Sequence, residues 1–555
     1  MLALCPQCLQ LAHPSRQLLF AALVGDKRSM PSCPEAQPIE SAGSRPVQWT
    51  VHNPTRAPMQ MFWVSFEGKE QAMEQVGPGS DATLSTFEGH AWRVRSPQGV
   101  LVAQAHSSSD PLQLVPCREM YGADSVALPA ALVDTVASLE PRVSDHWHGA
   151  PLARALSACD PWRYLSREAP FIGFHVLCVL RAAGSDAPDG VAVFSEGVWR
   201  EQPTAVLPWG AASDLQELLL LVQHRLGVPR RAAHLQPAGF FAPDGSRLPA
   251  LDAMHALPTP TLLFEGGQWI WPPIAVNHTW RVTVNDHAVP GARADGDGAL
   301  DDVQLGARVE LQLRTLSLRP VAFEVSEFLR GDEAAHLRTR AEPHMARSGI
   351  ANVDADRGKR LDDVRTSSTT FVQYDGDATL KALARRVVCL TKVGATHHEA
   401  VQVLSYQPWQ HYQAHHDFFD PQFYQEQPHM LRQLRDGANN RLATVFMYLS
   451  DVAAGGETAF PRAKGEAVPT EKVLDCEMGL AVRPHANKVL LFYSLMPSGD
   501  LDYSSQHIGC DVREGSKWAA NFWLWSQDSP MNRGGADARS FQDGLERRFA
   551  ANASC

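Results

Sequence analysis

The chain has 555 residues, 44% hydrophobic and 20% charged, and a net charge of −11. Such a length divides into about three or four domains, and so mild an acidic balance gives no reason to expect nucleic acid or an anionic membrane as a partner. Ten cysteines spread over the chain are too sparse for a disulfide-built scaffold, and no apolar run approaches the ~20 residues of an integral membrane helix.

Residues 1–44 read as a disordered or targeting segment. No acidic residue precedes Asp26, but Pro6, His13 and Pro14 interrupt the apolar stretch and a charged leading region is missing. The compartment, secretory or cytoplasmic, stays open. Cys5 and Cys8 form a CxxC with no second pair at zinc-site spacing. A Pro/Ser-rich linker, PSCPEAQPIESAGSRP, follows.

From 45 to 106 come short alternating pieces, VQWTVHN, MQMFWVSFEG, ATLSTF, HAWRVRS and GVLVAQ, the pattern of an all-β sandwich. Residues 107–168 form a partly helical connector, clearest in ALPAALVDTVASL. Within 169–273, FHVLCVLRA and GVAVFSEG read as strands. A helix follows, capped by Ser213 and Gln216, with LQELLLLVQHRL as body and Gly227 and Pro229 as stop. Asp244–Gly245 marks a turn, LDAMHAL a short helix and TLLFEGGQW a closing strand. Two strands, a helix and two strands is a β-grasp order.

A strand-rich connector, 274–317, contains the turn ARADGDGALDD. Two amphipathic helices open the region 318–527, VSEFLRGDEAAHLRTRAE and LKALARRVVCLTKV, with Leu380, Leu383, Val387 and Leu390 on one stripe of the second. Strands then dominate to 525. The last alternates: Lys517, Ala519, Asn521 and Trp523 on one face, Trp518, Ala520, Phe522 and Leu524 on the other. A loose tail, 528–555, ends the chain.

The chemistry concentrates in YQAHHDFF. In a strand His415 and Asp417 project together, with His416 and Phe418 opposite. An imidazole and a carboxylate are two-thirds of a 2-His-1-carboxylate triad, which holds ferrous iron on one octahedral face. HxD alone also fits a solvated polar turn. SSQHIGCDVREGSKWAANFW supplies His507 as a third ligand, and Lys517 as an inward cation that calls for an anionic partner.

The region 318–526 resembles the catalytic domain of prolyl 4-hydroxylases, particularly the plant and algal type. DVRTSSTTF, EAVQVLSYQPWQHYQAHHDFF, NRLATVFMYLSDVAAGGETAFP, GLAVRPHANKVLLFYSL and HIGCDVREGSKWAANFW carry the resemblance, in the family's order. It implies a double-stranded β-helix (jelly-roll) domain in a multidomain α+β protein. It also implies Fe(II), 2-oxoglutarate, O2 and ascorbate, a proline-containing peptide substrate, and succinate and CO2 as coproducts. Position by position, His415, Asp417 and His507 match the iron ligands, and Lys517 the partner of the far carboxylate of 2-oxoglutarate. Tyr406 and Thr458 match its other contacts. Arg365, Glu399, Tyr412, Arg441 and Trp523 match the peptide groove. Cys476 and Cys510 align with a pair that is a disulfide in secretory-pathway relatives. One departure stands out: Pro408–Trp409 replaces the family's usual Gly or Glu-Gly.

Residues 45–104 resemble the β domain of the von Hippel–Lindau protein, whose family pocket recognises hydroxyproline. Trp63, His90 and Trp92 match that pocket, Thr86 stands for a serine and Met73 for a tyrosine. A hydroxyproline-containing product is the partner this implies. Residues 170–273 resemble a doublecortin or other ubiquitin-like domain, through APDGSRLPALDAMHAL and TLLFEGGQW. Beyond Arg225, Arg230 and Arg231 its cations are few, which favours a spacer or docking role over microtubule binding. Three other readings compete: a scaffold with a vestigial oxygenase domain, an oxygenase acting on another residue type, and zinc hydrolysis. Intact ligand positions argue against the first. Hydrolysis lacks an adjacent glutamate base and leaves Lys517 without purpose.

Overall fold

A computed structural model describes residues 32–53, 55, 59–77, 81–96, 99–114, 117, 126–181, 188–228, 238–285, 308–350, 353–354, 364–373, 377–463 and 476–532. Cys5, Cys8, Arg230, Arg231 and the tail beyond 532 lie outside them. The chain divides into two compact units. The first holds the described residues up to Gln268 together with Met496–Asp502, and the second the rest.

In the first unit, the expected strands of 45–106 form two sheets. One contains Asp81–Phe87, Pro46–His52 and Leu112–Gln113; the other Glu70–Val76, Met59–Val64, Ala91–Arg95 and Leu101–His106. Alternation along the strands sends Trp49, Val51, Met59, Met61, Leu84, Trp92, Val94 and Val102 into one core drawn from both sheets. Cys33 is bonded to Cys117 beside that core. Further on, a five-stranded sheet carries the helix Leu215–Leu226, whose Leu218, Leu221, Val222 and Leu226 pack on Leu177, Val191, Val193 and Leu263.

Two expectations shift here. The helix cap lies one residue later than Ser213/Gln216: the Asp214 carboxylate accepts from Glu217 N, while Ser213 N and Oγ donate to the Glu217 carboxylate. Asp214, a charged acceptor, outcompetes the neighbouring hydroxyl at the helix start. A third strand, Ala205–Pro208, precedes this helix, so the order is not two strands, a helix and two strands. All pairs in the sheet are antiparallel.

The second unit is built on a nine-stranded antiparallel sheet. Its order is Thr279–Asn285, Arg308–Leu318, Val321–Val325, Val489–Tyr493, Arg441–Tyr448, Lys517–Trp525, Val401–Tyr406, Ser368–Val372 and Ala346–Arg347. The connector 274–317 thus supplies two of its strands. A four-stranded antiparallel sheet, ordered Tyr412–His415, His507–Gly509, Thr458–Phe460 and Leu480–Val482, faces it. Leu404, Tyr406, Phe446, Tyr448, Leu490, Phe492 and Ala519 of the large sheet meet Phe460 and Val482 of the small one in a shared core. The helix Ala378–Thr391 is buried from Leu380 through Thr391, not only along the expected stripe. Arg386 is tolerated inside because Glu333 takes both its terminal nitrogens, each at 2.9 Å, and the Phe328 carbonyl takes a further bond. No helix among the described residues is long and apolar enough to cross a membrane.

Candidate metal and cosubstrate site

Register fixes the two imidazoles. His415 ends its strand and His507 begins the neighbouring one; the two are direct partners across the ladder, with ring centroids 4.2 Å apart. Each ring is oriented from behind. His415 Nδ1 donates to the Gln413 carbonyl at 2.7 Å and His507 Nδ1 to the Ser505 carbonyl at 3.0 Å. Both Nε2 atoms are left as acceptors facing Asp417, a tautomer suited to ligating a cation.

Asp417 arrives differently from expectation. The strand stops at His415, and Asp417 sits in a bend rather than two places along a continuous strand. Tertiary contacts aim it instead. Arg441 Nη1 donates to its carbonyl at 3.3 Å, Asn440 clasps the next backbone step through Phe419 N and O, and Thr444 Oγ1 donates to Asp417 Oδ2 at 2.5 Å. Asp417 Oδ1 then lies 3.9 Å from His415 Nε2 and 3.8 Å from His507 Nε2. One ligand atom from each of the three residues falls within 4.8 Å of the others.

The electrostatics suit a divalent ion. Burial opposes ionisation of Asp417, but His507, His415, Arg441 and the Thr444 hydroxyl outweigh it and hold the carboxyl at about 2. Burial, with His507 adding to it, pushes His415 well below the usual imidazole range. A buried carboxylate and two imidazoles, with one donor atom of each gathered within 4.8 Å, fit Fe(II).

Beside it lies an enclosed cation. Along the large sheet, cross-strand partners share a face, so Lys517 lies beside Tyr406 and Ala519 beside Leu404 and Tyr448. Lys517 is 1% exposed. Its Nζ hangs 5.4 Å from the Tyr406 ring, 5.2 Å from Phe446 and 5.6 Å from Tyr448. No hydrogen bond or ion pair reaches it among the described residues. Burial drives its pKa down to about 7, with Glu457 pulling the other way. Such a buried ammonium calls for an anionic partner. Thr458 lines the same space, held by a hydrogen bond from Tyr448 Oη at 2.9 Å.

The proposed groove residues are interlocked. Tyr412 stacks on His415 at 3.5 Å, and Arg365 lies over Tyr412 at 4.6 Å. Burial lifts the Tyr412 hydroxyl to about 12. Arg441 lies 3.6 Å over the Trp523 ring and 4.9 Å from Phe419, gripped by Glu399 at 2.7 and 3.0 Å. Trp525 Nε1 also donates to Glu399, at 2.6 Å. Cys476 is bonded to Cys510, behind the His507 strand. Trp409, in the Pro408–Trp409 step, adopts a left-handed φ of 65, is 69% exposed, and its backbone N–H donates to the Val512 carbonyl at 2.7 Å.

Sequence reasoning missed Thr444, Phe446 and Tyr448. Their period-two spacing in RLATVFMY was the available signal: all three point into the chamber from one strand face. Gln402 and Asn521, hydrogen-bonded at 3.1 Å with Arg365 reaching the same Gln402 oxygen, were missed as well.

In the first unit, Trp92 is a core residue tilted against Trp49 at 5.8 Å. Trp63, His90, Phe66 and Phe87 cluster with centroid distances of 5.2 to 5.9 Å, and Thr86 Oγ1 lies 3.2 Å from His90 Nδ1. Met73 is exposed.

Comparison with known proteins finds relatives of the second unit. The profile of the 2OG-Fe(II) oxygenase superfamily matches residues 401–525. Probable prolyl 4-hydroxylase 3 of Arabidopsis thaliana is 39% identical over 225 residues, covering 40% of this chain and 74% of that protein. Probable prolyl 4-hydroxylase 10 of the same plant is 40% identical over 220 residues, 39% of this chain and 72% of its own length. Among solved structures, the viral collagen prolyl hydroxylase of Paramecium Bursaria Chlorella virus-1 is 21% identical, with a TM-score of 0.26, covering 37% of this chain and 95% of that one.

Proposed function

The chain belongs to the prolyl 4-hydroxylase family of 2-oxoglutarate- and iron(II)-dependent oxygenases, and we propose that it hydroxylates peptidyl proline at the ring 4-position. The observation that carries this is a His415–Asp417–His507 ligand set together with an enclosed Lys517 that has no ion pair among the described residues. Bound there, iron(II) and 2-oxoglutarate would activate dioxygen, one atom going to succinate as CO2 leaves and the other to the substrate carbon, with ascorbate keeping the metal reduced.

The protein's part is binding, orientation and exclusion of water. Lys517, Tyr406 and Thr458 would hold the far carboxylate of 2-oxoglutarate in a jelly-roll interior. Tyr412 and Trp523 would hold the flat prolyl ring by aromatic packing, and Arg365, Arg441 and Glu399 would fix the walls around it. The test is mass spectrometry of proline-rich peptides incubated with iron(II), 2-oxoglutarate and ascorbate. One added oxygen on proline, matched by succinate, is expected. Succinate without any gain on proline would move the target to another residue type, and absence of both would leave a scaffold.

A second reading concerns the first unit. Thr86 and His90 offer paired polar groups beside Trp63, Phe66 and Phe87, a composition that suits a hydroxylated ring. We read this as a site for the hydroxyproline product, which would keep a repetitive chain near the enzyme through tethering. Quenching of Trp63 emission by a hydroxyprolyl peptide, and not by its prolyl twin, is the expected result; equal response to both contradicts it. The five-stranded sheet would then serve as spacer or docking module. Bonds between Cys33 and Cys117, Cys159 and Cys178, and Cys476 and Cys510 favour an oxidising compartment.

A further inference from the structure

We propose that Thr444 is a positioning residue for the metal site: its hydroxyl sets the carboxylate of Asp417 so that Oδ1 faces both imidazoles. The proposal rests on the reading of His415, Asp417 and His507 as the metal set. Three observations carry it. First, Asp417 is the one ligand outside a strand, so backbone register does not aim it as it aims His415 and His507. Second, the 2.5 Å bond from Thr444 Oγ1 goes to Oδ2, the oxygen that is not the one near the imidazoles. One oxygen is thereby tied down and the other left for a cation.

Third, Thr444 itself cannot drift. It is fully buried in the middle of its strand, paired on one side with Phe492 and on the other with Trp523. A β-branched side chain between two ladders is stiff at χ1. Since the carboxylate is acceptor-only, the threonine donates, and the bond persists when Oδ1 binds metal. Released from it, the carboxylate could rotate about its terminal torsion, which has broad, shallow wells.

Groups that hold a metal ligand in place are commonly worth about 10- to 100-fold in metal affinity. The test uses the full chain, manganese(II) as probe, and paramagnetic relaxation or competition to read its dissociation constant. Thr444→Val keeps the shape and removes the hydroxyl, and should raise that constant about 10- to 100-fold. Thr444→Ser keeps the hydroxyl and should stay close to wild type. Melting of the metal-free proteins reports any general loss of structure, and Thr444→Ala replaces the valine variant should that one not fold. Wild-type affinity in Thr444→Val, or an equal loss in Thr444→Ser, overturns the proposal. Failure of the wild-type chain to bind manganese(II) at all would instead overturn the metal-site reading beneath it.

Discussion

Enclosing Lys517 makes 2-oxoglutarate binding a proton-linked event. In the unloaded chamber burial holds this ammonium at about 7, far below its ordinary 10.5. A carboxylate arriving beside it favours the charged form, so above neutrality each binding event draws in a proton. For a group titrating at about 7, the protonated fraction falls about eightfold from pH 7.5 to 8.5, and the dissociation constant should rise about eightfold. Calorimetry with manganese(II) in place of iron, run in buffers of different ionisation enthalpy, reads this directly: near pH 8.5 the uptake should approach one proton. In Lys517→Met the uptake should vanish and affinity fall about 10- to 100-fold, as expected when a charged hydrogen bond is lost. Stability has the matching sign. The folded pKa is depressed, so the unfolded chain binds the extra proton between about 7 and 10.5, and this lysine's contribution to unloaded stability rises with pH across that window. A constant independent of pH, with an enthalpy independent of buffer, would refute the reasoning.

Asp417→Asn should weaken manganese(II) binding beyond about 100-fold, because residues merely touching ligands are already worth 10- to 100-fold; equilibrium dialysis measures it. Glu399→Gln leaves the half-buried Arg441 without its counter-charge and should cost up to about 3 kcal/mol in urea unfolding, with peptide KM raised. Replacing Cys33 and Cys117 together by serine opens a loop with sequence separation 84, and should lower the stability of the first unit by about 4–5 kcal/mol in the chain-entropy picture, read by denaturant titration.

The metal set was legible chiefly through the family resemblance: HxD alone also fits a solvated polar turn, and the later histidine and inward lysine gain their meaning from the order of the flanking motifs. Thr444 was not. A threonine in RLATVFMY looks like any β-branched strand residue, and only the fold brings Asp417 to its hydroxyl. Asp417 was identified correctly on an incorrect backbone, since a bend pinned by Arg441 and Asn440 reproduces the side-by-side placement that strand alternation would have given. The helix around Leu380, Leu383, Val387 and Leu390 read as amphipathic with one apolar stripe, whereas its Arg385 and Arg386 are buried as well, Arg386 by its pairing with Glu333. The segment 274–317 was visible only as a strand-rich connector; that its strands Thr279–Asn285 and Arg308–Leu318 join the large sheet was not, because strand pairing is a long-range choice that local pattern leaves open.

The most direct measurement supplies isotopically labelled dioxygen to the enzyme with iron(II), 2-oxoglutarate and a proline-rich peptide. One labelled oxygen in hydroxyproline and one in succinate, in equal amounts and both lost in Asp417→Asn, is the predicted outcome. Unlabelled hydroxyproline, or turnover that survives in Asp417→Asn, would contradict the account.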